Sequence, residues 1–468
     1  MRRVSVLVLA CACAHDPAVQ DCGDTDEACT TTSDSGSTGP SSTGTSPSTV
    51  DSSDAESGAT ITATTSAPDT SETSDVSSTT APDCTEDSDC SADAPFCEIG
   101  TCLSCDHLEA PDAGCAGLNP DLPLCVDEAC VQCSERDATM CTGIVPICDT
   151  ASHTCVGCTM HEQCPGSACD RIDGSCFPLD LVLHVDGDAG SCFLGDGSEM
   201  LPFCTIDDAL DAIAPASRAM LRIAATALPY LEPIVIDGDR IVAIVPWGDD
   251  SPVLDMIDAA PTVVVDGATA YLWRVRLEGN GSAPAIALEG AVAYVESTTV
   301  VLNSGGGLVV TADTELHLWN SVIGANGTGL AERYAMELDA STFDVLDTTI
   351  AGNDSTGPAS LWCSGGATGT IRNSIVVGLE LPSIQCAGVE VVTSAIDTAD
   401  LGGDDVLVLD EFNVGWFVDA PAGDFHLVSD TLFEALGVRV MGDPVVDLDG
   451  DPRPTRDGAP DVVGADVP

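Results

Sequence analysis

A pattern of apolar and polar positions recurs six times between residues 272 and 396. Each segment spans six residues, with an aliphatic side chain at its first and sixth positions and, in most cases, a small polar residue at its third. The segments begin at Leu272, Val295, Leu318, Val345, Ile371 and Val391. Their starts are 23, 23, 27, 26 and 20 residues apart, and a period in this range predicts a solenoid.

The parity of the two aliphatic positions predicts one coil of a parallel β-helix per repeat. The first and sixth residues of a straight strand face opposite sides, so both point inward only if the chain turns between them. The polar third position is where this turn belongs, and stacked coils would align Ser297, Asn320, Asp347, Asn373 and Thr393 in a hydrogen-bonding ladder. Four segments also have an Asn three residues after the sixth position: Asn280, Asn303, Asn326 and Asn353. The alternative is a β-sandwich with coincidental spacing.

Two further motifs flank the repeats. Residues 197–211 contain a Gly-Ser pair, then Pro-Phe-Cys-Thr-Ile and Asp-Asp-Ala-Leu, and residues 447–454 read Asp-Leu-Asp-Gly-Asp-Pro-Arg-Pro. Over about residues 182–468 the chain resembles secreted bacterial right-handed parallel β-helix proteins of the pectin-lyase-like group. The resemblance implies a short helix that caps the open end of the solenoid. We therefore predict an all-β chain with a right-handed parallel β-helix head at residues 180–468.

The start of the chain predicts export and a lipid anchor. Two Arg residues precede a short apolar core, which is too short for a permanent transmembrane helix. The four residues that end at Cys11 resemble a bacterial lipobox, so we expect residues 1–14 to be a signal peptide and Cys11 to carry lipid. Cys13 is the alternative lipid site, and secretory cleavage after Ala14 is the third interpretation. The expected location is the outer membrane or cell surface.

Residues 15–83 predict a disordered tether, because they consist almost entirely of small and polar residues that cannot form a core. The whole chain has 76 acidic and 14 basic residues, a net charge of −62. Such a surface repels nucleic acid and anionic lipid, so no nucleic-acid partner is expected and the membrane would be reached only through the lipid anchor.

Residues 84–176 hold sixteen of the 24 Cys residues, arranged in four units of four, and a Cys-x2-Cys joins each unit to the next. The exported context and the four-Cys period favour two disulfide bonds per unit over zinc, the competing interpretation of Cys-x2-Cys. The pairing stays open at this point. We predict disulfide-rich repeats over residues 84–178, and the segment resembles Cys-rich stalk repeats of myxobacteria.

Two disulfide bonds are also predicted in the head. Cys192 and Cys204 flank a Gly-rich loop before the capping helix, whereas Cys363 and Cys386 follow strands of successive coils at nearly equivalent places. The same repeat register predicts that Ile350 lies in the core and that Thr349, one residue earlier, faces outward and tolerates substitution.

The second repeat position contains the candidate glycan contacts. Trp273, Glu296 and Trp319 occupy it in successive coils, and it should face outward. Coils stack about 4.8 Å apart, which would place the two indoles roughly 10 Å apart and suit two sugar rings. The alternative is that residues 280–285 fold over the indoles.

Asp447, Asp449 and Asp451 alternate before a Pro, as in short calcium loops. A structural turn is the competing interpretation, so Ca²⁺ is a candidate ligand and no other cofactor is indicated.

The pattern of charged residues gives no compact catalytic constellation, and no catalytic residue is predicted. Lys is absent, and Arg274 and Arg372 lie four coils apart. The leading hypothesis is a surface-anchored lipoprotein that displays a non-catalytic β-helix for binding a polysaccharide or cell-surface glycan. The alternatives are a polysaccharide lyase or glycoside hydrolase, and a cell-envelope structural protein without a ligand, since the same fold supports all three.

Overall fold

The computed structural model describes residues 84–91, 93–190, 194–256, 259–327, 334–354, 359–379, 382–401, 405–428 and 432–468. The predicted signal peptide and tether, with Cys11 and Cys13, lie outside these residues, as does Cys192. None of the described helices is long and apolar enough to cross a membrane.

Three parallel sheets form a solenoid of about seven turns, which confirms the predicted β-helix. In the described chain, the first sheet comprises Val182–Val185, Arg218–Ile223, Ile241–Pro246, Thr269–Trp273, Val292–Glu296, Glu315–Trp319, Thr342–Leu346, Thr368–Arg372 and Gly388–Val392. The second sheet comprises Ile234–Ile236, Val263–Asp266, Ile286–Glu289, Leu308–Thr311, Met336–Asp339, Leu361–Ser364 and Ile384–Gln385. The third comprises Val253–Asp255, Arg276–Glu278, Thr299–Val301, Val322–Gly324, Thr349–Ala351, Ile375–Val377, Ala395–Ile396 and Leu407–Val408.

A left-handed residue separates the first sheet from the third in every repeat. It is the third position of the six-residue pattern, and its φ lies between 44° and 53° in Arg274, Ser297, Asn320, Asp347, Asn373 and Thr393. Asn and Asp tolerate this conformation better than other non-glycine residues, which explains their frequency there. The turn lets Val345 point into the core from the first sheet and Ile350 from the third, and both are fully buried.

Polar ladders inside the stack satisfy the backbone where the chain turns. The backbone N–H of Asn280, Asn303 and Asn326 donates in each case to the Oδ1 of the Asn one coil further on, at 3.0 Å. At the fourth repeat position, the N–H of Thr298 donates to Ser321 Oγ at 3.1 Å, and later coils repeat this bond. Buried backbone groups require such partners, so these ladders fix the coil-to-coil register.

A short helix, Ile206–Asp211, closes one end of the core. The Thr205 Oγ1 accepts the Asp208 N–H at 3.2 Å as the N-cap, and Ile206 and Leu210 are buried in the main core. The other α-helix of the described residues, Pro111–Leu118, belongs to the Cys-rich segment. Short 3₁₀ turns occupy Asp87–Asp89, Cys105–His107, His161–Gln163, Leu179–Leu181, Ala399–Leu401, Val414–Trp416 and Ala420–Ala422.

The Cys-rich segment contains one small antiparallel hairpin per four-Cys unit. The hairpins are Phe96–Glu98 with Thr101–Leu103, Leu124–Val126 with Ala129–Val131, Ile147–Asp149 with Thr154–Val156, and Cys169–Asp170 with Ser175–Cys176. The pairing that the sequence left open is the same in each unit, because the first Cys bonds the third and the second bonds the fourth. In the head, Cys363 and Cys386 form a disulfide bond, and Cys204 is also disulfide-bonded.

The C-terminal part of the chain covers the outer face of the third sheet. Its hairpins are Phe417–Asp419 with Asp424–Leu427, and Gly437–Val438 with Pro460–Asp461. Gly324 is required beneath this cover, since a Cβ there would lie 2.1 Å from the Phe425 ring. The expectation that Thr349 is exposed is wrong, because the C-terminal part of the chain covers this residue as well. Thr349 does face outward from its coil, but it is fully buried and its Oγ1 accepts the Ala465 N–H at 3.0 Å.

Candidate ligand-binding face

The outer face of the first sheet carries two columns of polar and aromatic side chains. Strand register places Trp273 beside Glu296 and Glu296 beside Trp319, in the order predicted. The second column, two residues earlier in each strand, contains Tyr271, Tyr294, His317, Asp344 and Thr370. The sequence analysis missed this second column, although extending the repeat alignment one residue upstream would have included it.

An aromatic stack runs along the second column. The ring centroids of Tyr271 and Tyr294 are 4.8 Å apart, those of Tyr294 and His317 are 4.4 Å apart, and both pairs are within 9° of parallel. The spacing follows from the distance between neighbouring strands. Trp319 meets His317 edge to face at 5.7 Å, so the two columns form one aromatic surface.

Arg171, from the last Cys-rich unit, contacts both Glu296 and Trp319. Its guanidinium pairs with the Glu296 carboxylate, and both side chains are about nine-tenths buried or more. The same guanidinium lies 4.5 Å from the centroid of the Trp319 ring, a cation–π distance. Burial raises the pKa of Glu296, an effect that the positive charge of Arg171 opposes.

Further contacts hold the last Cys-rich unit against the upstream half of the face. Tyr271 Oη donates to Asp170 Oδ1 at 2.7 Å, and Arg218 forms an ion pair with Asp170 at 2.8 Å. His161 packs against Tyr271 and Trp273, and burial lowers the pKa of its imidazole to about 3, so the ring is neutral. The last Cys-rich unit therefore covers Tyr271 and Glu296 and reaches the Trp319 ring through Arg171. It leaves the downstream half of the face partly accessible, because His317, Trp319, Asp344 and Thr370 are half-buried.

The accessible half presents hydrogen-bond acceptors beside an indole. Trp319 is half-buried, and its Nε1 donates to Asp344 Oδ2 at 2.8 Å. Thr370 Oγ1 donates to the other Asp344 oxygen at 2.5 Å, and the exposed Glu315 lies 3.1 Å from His317 Nε2. This arrangement holds the indole in one orientation and offers carboxylates to ligand hydroxyl groups.

The three Asp residues of the predicted calcium loop have different roles in the structure. Asp447 is buried, and its Oδ1 accepts the backbone N–H groups of Asp449, Gly450 and Asp451 at 2.8–3.0 Å. Its Oδ2 accepts the Val467 N–H at 2.9 Å. Asp449 instead lies 2.6 Å from His426 Nε2, and Asp451 is exposed. The Asp447 carboxylate thus organises the turn through backbone donors.

Comparison with known proteins found a family model that matches part of the chain, and distantly similar solved structures. A family of unknown function, DUF8331, matches residues 69–182. No curated protein sequence matches the chain. Among solved structures, a rhamnogalacturonan lyase is similar at 10% identity and a TM-score of 0.31, covering 46% of this chain and 67% of that one. A pectate lyase is similar at 13% identity and a TM-score of 0.27, covering 61% of this chain and 95% of that one.

Proposed function

We propose that this protein is an exported, lipid-anchored surface protein whose β-helix binds a neutral, hydroxyl-rich glycan without cleaving it. The observation that carries the proposal is the accessible half of the first-sheet face, where Trp319 stands beside His317 and Asp344. An indole stacks on the apolar face of a sugar ring, while carboxylates accept its hydroxyl hydrogens. The hydrogen bond to Asp344 and the contact with Arg171 hold the indole before a ligand arrives, which reduces the entropy lost on binding.

Charge supports a neutral ligand over an acidic one. The chain has a net charge of −62, and two arginines in and beside the downstream half of this face are already paired, Arg171 with Glu296 and Arg372 with Asp443. A polyanionic chain would meet carboxylates whose charge is not offset by unpaired cations. The same pairing supports a binding role over lyase chemistry, in which a cationic side chain would have to act as the base.

Disulfide chemistry supports export. Each described Cys of the four-Cys units is disulfide-bonded, and such bonds persist in oxidising compartments. The lipobox-like residues before Cys11 then support anchoring at the surface, with the tether carrying the Cys-rich segment and the head away from the membrane.

Affinity electrophoresis of the purified protein in neutral and acidic polysaccharides tests the proposal. Trp319→Ala should lose retention in a neutral polysaccharide, because the stacking surface is removed. Trp362→Ala is the matched control, since Trp362 is a half-buried indole that stacks on Tyr334 on the second sheet. Equal retention of both variants would contradict the proposed site. Unsaturated sugar products, detected by ultraviolet absorbance, would instead support the lyase alternative.

A further inference from the structure

A histidine and three aspartates converge where the C-terminal hairpin meets the closing turn. One ligand atom from each of His426, Asp449 and Asp466 lies within 4.8 Å of the other two. His426 belongs to the hairpin strand Asp424–Leu427, whereas Asp449 belongs to the turn that Asp447 organises. The cluster therefore joins two segments that cover the third sheet.

Asp466 brings a buried carboxylate into this cluster. It is only 6% exposed. Among the described residues, its hydrogen-bond donor is the Leu427 N–H, which reaches Oδ2 at 2.6 Å. A carboxylate this deeply buried normally has several donors or a cation, so Asp466 has coordination capacity left toward His426 and Asp449.

The imidazole of His426 lies between two carboxylates, with its Nδ1 2.5 Å from Asp424 Oδ1 and its Nε2 2.6 Å from Asp449 Oδ2. At this distance the Nε2–H is hydrogen-bonded to Asp449, so a metal ion bound here would displace the Nε2 proton. A carboxylate behind the distal nitrogen fixes the tautomer and ring orientation of metal-binding histidines. His426 and Asp449 are about half exposed, so solvent can reach the point between them.

We propose that His426 Nε2 and one carboxylate oxygen each of Asp449 and Asp466 bind a divalent first-row transition metal such as Zn²⁺. Asp424 orients the imidazole, and water completes the coordination. The imidazole nitrogen favours a transition metal over calcium, which takes oxygen ligands. The ion would pin the closing turn to the hairpin. This site is independent of glycan binding, and it uses Asp449 without the other two residues of the predicted calcium loop.

Zn²⁺ titration of the purified, chelator-treated full chain tests this proposal by calorimetry and thermal unfolding. The wild-type protein should bind Zn²⁺ saturably and unfold at a higher temperature with Zn²⁺ than without it. His426→Gln and Asp449→Asn should each weaken Zn²⁺ binding at least about tenfold, because loss of even an outer-shell partner of a metal ion costs this much, and should abolish the rise in unfolding temperature. Both residues are half exposed, so the variants should fold, which circular dichroism verifies.

His107→Gln is the matched control, because His107 pairs with Asp106 on the surface of the Cys-rich segment at 2.9 Å. It should bind Zn²⁺ as the wild-type protein does. Failure of the wild-type protein to bind Zn²⁺ saturably would overturn the proposal. Unchanged binding in both His426→Gln and Asp449→Asn would also overturn it, as would stabilisation by Ca²⁺ without stabilisation by Zn²⁺.

Discussion

Asp347 occupies a left-handed turn of the coil and is completely buried. Neither of its carboxylate oxygens has a hydrogen-bond partner among the described residues. Burial raises the pKa of Asp347 to about 7, an effect that Arg453 opposes and that Asp461 and Asp443 reinforce. In the predicted polar ladder, Asn320 donates to Ser297 at 3.2 Å and Thr393 donates to Asn373 at 2.7 Å, but Asp347 interrupts the series.

Replacing Asp347 by Asn should stabilise the protein above neutral pH. The folded-state pKa of about 7 exceeds the ordinary value of 3.8, so the folded protein keeps a proton that the unfolded chain loses between these values. The free energy of unfolding therefore falls as pH rises from about 4 to about 7 and stays low above that. Asp347→Asn should remove this loss of unfolding free energy, which is on the order of 4 kcal/mol at most.

Thermal unfolding at pH 4 and pH 8 measures this effect. The two proteins should unfold at similar temperatures at pH 4, with the variant more stable at pH 8. Asp313→Asn is the control, because Asp313 also has a positive φ but is exposed, and it should change little at either pH. A variant without extra stability at pH 8 would show that the buried carboxylate has a partner.

The burial of the sixth repeat position predicts a contrast between two alanine variants. Ile350 is fully buried between coils, so Ile350→Ala should lower the free energy of unfolding by about 2–5 kcal/mol. Val309 faces outward from the second sheet and is half-buried, so Val309→Ala should cost less than about 1 kcal/mol. Chemical denaturation measures both values. Equal losses would mean that the inward and outward faces are misassigned.

At the scale of the strand and turn, the repeats were predictable because parity and period constrain them strongly. The inward Val345 and Ile350 and the turn at Asp347 all follow from one six-residue pattern. The cover over Thr349 was not predictable, because Ala465 is 116 residues away and belongs to no repeat. The period of the repeats predicts contacts between neighbouring coils, but it gives no information about segments that pack against the coils from outside.

On the candidate face, too, the repeat pattern predicted the order of the side chains but not which of them are covered. The order of Trp273, Glu296 and Trp319 follows from the repeat register. Arg171, which neutralises Glu296, lies 125 residues earlier in a disulfide-bonded unit, and its sequence neighbourhood carries no signal for this contact. The side chains were therefore predictable from the pattern, whereas their accessibility depended on tertiary packing.

Docking of the last Cys-rich unit should depend on the Arg171–Glu296 pair. Arg171→Met leaves a buried, unpaired carboxylate, which should cost on the order of 3–5 kcal/mol. Arg171→Met combined with Glu296→Leu removes both charges, and Leu346 shows that Leu occupies the equivalent position two coils later. The double variant should therefore recover most of the lost stability. A double-mutant cycle by denaturant unfolding checks this, and additive losses would contradict the pairing argument.

For the molecule as a whole, the proposed anchor predicts where the protein is found in the cell. Cys11→Ser should abolish labelling with a radioactive fatty acid and shift the protein out of the membrane fraction, because the thiol that accepts lipid is missing. Cys13→Ser is the control and should leave both properties unchanged. If Cys13→Ser, and not Cys11→Ser, removes the label, the anchor is at Cys13.

The C-terminal segments that cover the third sheet are synthesised after the coils that they cover. Coils can stack one by one as the chain leaves the export machinery, since each coil contacts mainly its neighbours. The side of the stack that holds Asn320 and Asn373 stays uncovered until residues 437–464 arrive, because their backbone and Arg453 supply its partners. A chain that stops before residue 437 would expose this side to proteases, although its coils are already formed. A chain that includes the covering segment should therefore resist proteolysis better than a chain truncated before residue 437.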